Sequence, residues 1–106
     1  MAAVFNNAIY NNIGTTEAVI YTAASKAILV GCNLANNTKA TLPVTVGIKR
    51  GTAVTNIVKD KRVPGGENFE AMKGNKLVLT VGDIIVATGG DIDSFDVVLS
   101  LLEGVA

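Results

Sequence analysis

Apolar and polar residues alternate with a period of two along most of this chain, and clusters of Gly, Pro, Asn and Asp break the alternation at short intervals. The pattern is clearest from Lys76 to Glu103, KLVLTVGDIIVATGGDIDSFDVVLSLLE, where three apolar runs flank two turns, Val81-Gly82-Asp83 and Thr88-Gly89-Gly90-Asp91. Short Gly/Asp turns between runs rich in Val, Ile and Leu predict antiparallel strands that close a sandwich or small barrel. In the last run Phe95, Val97, Leu99 and Leu101 share one face, and Asp96, Val98, Ser100 and Leu102 share the other. Val98 and Leu102 are apolar as well, so this strand is expected either at the centre of its sheet or at a subunit interface.

Upstream, the same reading gives a series of short strands. Residues 3–13 interleave Asn6, Asn7, Asn11 and Asn12 with Val4, Phe5, Ile9 and Tyr10, which predicts an extended arm or irregular edge strand. Helix is disfavoured there because Asn side chains compete for local backbone hydrogen bonds. A strand is expected over Glu17 to Thr22, followed by a tight turn at Ala23-Ala24-Ser25-Lys26. The next strand, Ala27 to Ala35, is expected to place Ile28, Val30, Cys32 and Leu34 on one face. Asn36-Asn37-Thr38-Lys39 then signals a turn. Leu42 to Arg50 should point Val44, Val46 and Ile48 inward, with Pro43 at the strand start, where its missing N–H does least harm. A hairpin at Gly51-Thr52 leads into Ala53 to Val63. Pro64-Gly65-Gly66 predicts a type II turn, with Pro fixing φ and Gly supplying a positive φ. Asn68 to Met72 reads as a short strand, and Lys73-Gly74-Asn75 as another turn. The expected fold is therefore all-β: one antiparallel β-sandwich or jelly-roll-like domain over residues 13–106, with an extended N-terminal arm or edge strand over residues 1–12. No internal repeat or sustained helical periodicity competes with it.

Composition supports the class and narrows the function. Of 106 residues, 33 are Val, Ile or Thr, the types that fit a pleated, half-buried surface. Aromatics make up only 5% and Trp is absent, so the core must be aliphatic. A mean hydropathy of +0.43 beside only 17% charged residues suggests that some apolar surface is covered by other subunits. No run approaches the roughly 20 apolar residues of a spanning helix, and the N-terminus has no signal-peptide pattern. The zero net charge conceals an uneven distribution. Residues 49–76 carry seven basic side chains against three acidic ones, whereas residues 77–106 carry five acidic and no basic ones. A surface divided in this way suits docking onto charged partners or onto copies of the same chain.

Candidate chemistry is sparse. The lone Cys32 lies in an apolar run and reads as a small buried hydrophobe, and without any His it has no partner base for nucleophilic work. Asp91, Asp93 and Asp96 are spaced like oxygen ligands for calcium, yet Phe95 stands where a further ligand is needed and no bidentate Glu closes the loop. A solvated turn explains them better. Zinc is a poorer candidate still, with no His and a single Cys, and no phosphate-cradling GxxxxGK[ST] loop occurs in the sequence. The basic segment is expected to offer neither the exposed aromatics nor the reading helix of a nucleic-acid interface. The chain is therefore expected to be non-enzymatic, with no cofactor, nucleic acid or membrane partner.

Several pieces of the sequence together resemble small β-rich virion proteins of tailed bacteriophages. They are Ile13-Gly14-Thr15, Ile20-Tyr21-Thr22-Ala23, Lys26 to Asn36, Val44-Thr45-Val46, Val63-Pro64-Gly65-Gly66, Leu77 to Val86 and Asp96 to Glu103. These cover nearly the whole chain beyond residue 12, although Ala23-Ala24-Ser25-Lys26 departs from the Pro/Gly-containing turn usual in similar sequences. The resemblance implies a β-sandwich subunit present in many copies on a particle that assembles in the host cytoplasm. The expected role is a capsid decoration (cement) protein at capsomer junctions, bound to the major capsid protein and associated as a homo-oligomer, with a trimer favoured. A tail or neck structural protein is the alternative, and a carbohydrate-binding attachment module using Tyr10, Tyr21 and the Asp91/Asp93/Asp96 loop is a second one. The expected partner-binding residues are Val4, Phe5, Ile9 and Tyr10 on the arm, Lys59, Lys61 and Arg62 against an acidic surface, and Val98 and Leu102 at the seam between copies.

Overall fold

A computed structural model describes residues 3–105. It contains nine strands: β1 (Val4–Ile13), β2 (Ala18–Thr22), β3 (Ala27–Asn36), β4 (Leu42–Arg50), β5 (Ala53–Val63), β6 (Asn68–Glu70), β7 (Leu77–Leu79), β8 (Ile84–Gly89) and β9 (Phe95–Glu103). One sheet has the order β1-β9-β3-β6, with β7 also paired to β3, and the other has the order β2-β8-β4-β5. All pairings are antiparallel. If β6 and β7 are taken as one interrupted strand, this is the eight-strand jelly roll, in which successive strands alternate between two packed sheets except at the β4–β5 hairpin, which stays within one sheet. The fold class expected from the sequence is therefore the one observed. The three C-terminal strands do not pair with each other: β7 and β9 flank β3, and β8 lies in the opposite sheet.

The core lies between the sheets and is aliphatic apart from Phe95. Ile13, Leu29, Leu34, Val44, Val46, Leu79, Ile85, Val97, Leu99 and Leu101 are all buried in it. Within β9, Phe95, Val97, Leu99 and Leu101 face this core while Asp96, Val98, Ser100 and Leu102 are half-buried on the outside. β9 lies between β1 and β3, so it is central in its sheet, the first of the two placements expected.

Several local expectations are corrected. In β3 a register shift between Leu29 and Gly31 interrupts the pairing with β9. Ala27 and Leu29 point inward before the shift, and Cys32, Leu34 and Asn36 after it, while Ile28 and Val30 stay only half-buried. A bulge adds one residue, and with a side-chain period of two that transfers the inward set from odd to even positions. β8 runs through Thr88 to Gly89, so the turn begins later than the sequence suggests, at Gly90. The short strand after Gly66 spans only Asn68–Glu70. At the Pro64 turn the Glu67 N–H donates to the Pro64 carbonyl (3.1 Å), which makes Pro64 the first residue; the positive φ falls on Gly66 at 75°.

Buried polar groups hold the loops to the sheets. Asn36 is buried, and its Nδ2 donates to the carbonyls of Ala40 (2.9 Å) and Val63 (2.8 Å). Ser94 is also buried, with its hydroxyl donating to the carbonyls of Asp91 (2.8 Å) and Ile13 (3.2 Å). Each bond satisfies a group whose burial would otherwise be unfavourable.

Candidate functional site

The pairing register assigns each β1 side chain to a face, because residues directly opposite on antiparallel strands project to the same side. Asn6, Ala8 and Tyr10 lie opposite the buried Leu101, Leu99 and Val97, and Val4 lies opposite Glu103, so these four face the sandwich interior or its rim. Phe5, Asn7 and Ile9 lie opposite Leu102, Ser100 and Val98 on the outer face. Leu102 is in turn opposite Ile28 on β3, and Ile28 is opposite Val78 on β7. A row of four apolar side chains, Phe5, Leu102, Ile28 and Val78, thus crosses the outside of the sheet, with Ile9 and Val98 beside it. Phe5, Ile9 and Val78 are 75%, 66% and 49% exposed, an apolar strip of the kind that marks an interaction surface.

Of the residues singled out in the sequence, the structure gathers Phe5, Ile9, Val98 and Leu102 on this face. Val4 and Tyr10 belong to the other side of β1. Lys59, Lys61 and Arg62 lie on β5, the opposite edge of the sandwich, and do not join the strip. Ile28 and Val78 were missed. Their period-two pattern does not distinguish an outer row from a core row, and only the bulge in β3 and the register with β7 place them.

The edge at β5 has a different chemistry. Lys59, Asp60, Lys61 and Arg62 are exposed, and two register shifts against β4 kink the strand. Asp60 adopts a positive φ of 50°, and its N–H donates to Thr45 Oγ1 at 2.9 Å. The side chains of Lys61 and Lys73 both lie over the Phe69 ring, at 5.0 and 4.9 Å from its centroid. The ring's negative face attracts both ammonium groups.

At the β1–β2 end, a shallow pocket of about 320 Å³ is lined by Tyr10, Asn12, Thr15, Thr16, Glu17 and Asp93, among others. The acidic loop next to it is tied into the backbone. Asp91 accepts the Ile92 N–H at 2.8 Å, and Asp96 accepts the Asn12 N–H at 2.9 Å. Among the described residues no group of three or more His, Cys, Asp or Glu converges as a metal site would require.

Three carboxylates have structural roles. Glu103, at the rim, accepts from the Tyr21 hydroxyl (2.5 Å) and from Asn6 Nδ2 (2.9 Å), linking β9 and β1 to β2 in the other sheet. These hydrogen bonds, Tyr21's first, hold its carboxyl below the ordinary glutamate range. Burial, reinforced by the Glu103 hydrogen bond and charge, pushes the Tyr21 phenol up to about 12. Asp83 is buried and takes Arg50 through both oxygens, at 2.9 and 2.6 Å, together with the Thr80 N–H at 2.8 Å. The guanidinium's hydrogen bond is the main reason its carboxyl falls to about 2. Glu70 accepts the Cys32 N–H (2.7 Å) and the Met72 N–H (3.0 Å), filling the gap that the β6–β7 interruption leaves along β3. Burial first, and the nearby Glu70 charge second, push the Cys32 thiol up to about 12, far from the reactive thiolate form.

No protein-family model matches the chain, and no curated protein does. Among solved structures, one similar chain comes from the Bacillus endospore appendages described as a novel family of disulfide-linked pili. It is 14% identical with a TM-score of 0.58, and the alignment covers 98% of this chain and 89% of that one. At that identity the likeness establishes a shared fold.

Proposed function

We propose that this chain is a non-enzymatic structural subunit that acts by assembly, and that the assembly is a decoration layer on the head of a tailed phage. The observation that carries the assembly reading is the outer strip, in which Phe5 and Ile9 stand exposed on an edge strand with no charged residue between positions 3 and 16. The choice of a phage head follows the sequence resemblance, and Lys59, Lys61 and Arg62 on the far edge supply the contact to an acidic capsid surface. The appendage pili offer another form of assembly on the same fold, a fibre. Disulfide linkage of the kind named for them does not suit a chain whose one cysteine is fully buried. Quantitative mass spectrometry and electron cryomicroscopy of the purified particle test the proposal. Hundreds of copies at capsomer junctions are expected, and a handful at the tail vertex favours the tail or neck role.

The rim pocket favours a second reading, carbohydrate attachment. It combines an aromatic face at Tyr10 with the polar groups of Asn12, Thr15, Thr16, Glu17 and Asp93, the mixture a sugar ring requires. Silence on a glycan array, with and without Ca²⁺, removes this reading.

A further inference from the structure

We propose that β1 pairs with β1 of a second copy, antiparallel and two-fold symmetric about Asn7, joining two β1-β9-β3 sheets into one continuous sheet. The inference rests on the assembly reading above and names the partner of that surface. β1 is the edge of its sheet, so one side of its backbone has no partner strand among the described residues. The Asn7 N–H donates to Asn6 Oδ1 at 2.9 Å, a local substitute for a neighbouring strand. β1 also lacks the charge and proline that usually protect an edge.

The choice of a second copy follows from the order of side chains in Val4-Phe5-Asn6-Asn7-Ala8-Ile9-Tyr10. A two-fold axis at Asn7 sets Phe5 opposite Ile9 of the mate, Val4 opposite Tyr10, and Asn6 opposite the small Ala8. On the outer face two apolar rows then cross the seam, one on each side of the Asn7–Asn7 pair: Leu102 and Phe5 of one copy meet Ile9 and Val98 of the other, twice over. Shifting the register by one residue brings Phe5 against Ala8 and Ile9 against Val4 of the mate, opposing side chains from opposite faces. A contact in which a surface complements itself about an axis is the isologous interface typical of two-fold dimers. It closes as a pair, so the trimer expected from the sequence would need a further contact.

The test uses the full chain, sedimentation velocity and two double variants. In Phe5→Lys/Ile9→Lys each lysine faces a lysine of the mate, whereas in Phe5→Lys/Ile9→Glu each faces a carboxylate. The wild-type chain is expected to sediment as a dimer, the first variant as a monomer and the second as a dimer again. Asn7→Cys should also oxidise to a covalent dimer, since hydrogen-bonded cross-strand Cα atoms lie about 5.5 Å apart, within disulfide reach. Asn6→Cys should not, because its opposite residue in the mate is Ala8 rather than itself. A monomeric wild-type chain, a dimer in which both double variants behave alike, or cross-linking of Asn6→Cys instead of Asn7→Cys overturns the pairing. None of these results bears on copy number in the particle, which decides the assembly reading separately.

Discussion

β1 and β5 occupy opposite edges of the sandwich and bury their residues in nearly the same pattern. Each is exposed along most of its length, half-buried near the middle and fully buried only at its last residue, Ile13 in one and Val63 in the other. Their chemistry differs sharply. β5 carries Lys59, Asp60, Lys61 and Arg62 and is bent by two bulges, both common defences against edge-to-edge association. β1 carries Asn, Val, Phe, Ile and Tyr and no charge, and its register is regular from Val4 to Tyr10. Burial alone would rank the two edges as equals. Their side chains equip β5 to exclude a neighbouring strand and leave β1 without such a defence, which is the basis of the pairing proposed for it.

The largest expected effects test what anchors each edge. Ile13→Ala should cost about 2–5 kcal/mol, and Val63→Ala about 2 kcal/mol, because each removes methyl groups from a fully packed site. Phe5→Ala and Ile9→Ala should stay within about 0.5 kcal/mol in the monomer, as exposed positions do. Urea denaturation measures all four, and an Ile13→Ala loss as small as that of Phe5→Ala would show that β1 is not anchored at its end.

pH separates the ties at the two sides of the sandwich. Asp83, which receives Arg50 from the end of β4 beside the β5 hairpin, has a lowered pKa. Its contribution is complete above the ordinary aspartate value of 3.8 and is lost as pH falls through about 2. Tyr21, which ties β2 to the β1–β9 rim, has a raised pKa, so its contribution is complete below 10 and is lost as pH rises towards about 12. Thermal unfolding across that range should therefore show an acid loss that Asp83→Asn flattens and an alkaline loss that Tyr21→Phe flattens. If Tyr21→Phe leaves the alkaline limb unchanged, the rim hydrogen bond does not link the sheets. The cation–π contact carries a smaller effect than the anchoring core residues: Lys61→Ala should cost about 0.5–1 kcal/mol, and Lys61→Arg should largely restore it, again by denaturation.

The inward face of β9 was legible in the sequence, although the apolar Val98 and Leu102 on its other side left its place in the sheet open. Phe95, Val97, Leu99 and Leu101 alternate with Asp96 and Ser100, so their face was fixed before any neighbour was known. β3 was ambiguous for the opposite reason. In Ala27-Ile28-Leu29-Val30-Gly31-Cys32 almost every residue is apolar, so a bulge changes the inward face at no cost in hydrophobicity. The candidate surface was half legible. Phe5, Ile9, Val98 and Leu102 each stood out as apolar positions in an exposed or two-faced strand, but β1 and β9 are over 80 residues apart in sequence, and nothing local predicts that Phe5 meets Leu102. Ile28 and Val78 complete the row only through pairings of the same long-range kind.

The sequence by itself determined the strands, most of their turns and the all-β class, because side-chain alternation and the conformational demands of Gly, Pro and Asn act over a few residues. The tertiary structure decided the jelly-roll order, which strands became edges, and which apolar residues lie in the core or on the outer strip. Those outcomes depend on pairing between distant segments, and a one-residue shift in register exchanges the two faces of a strand without altering its composition.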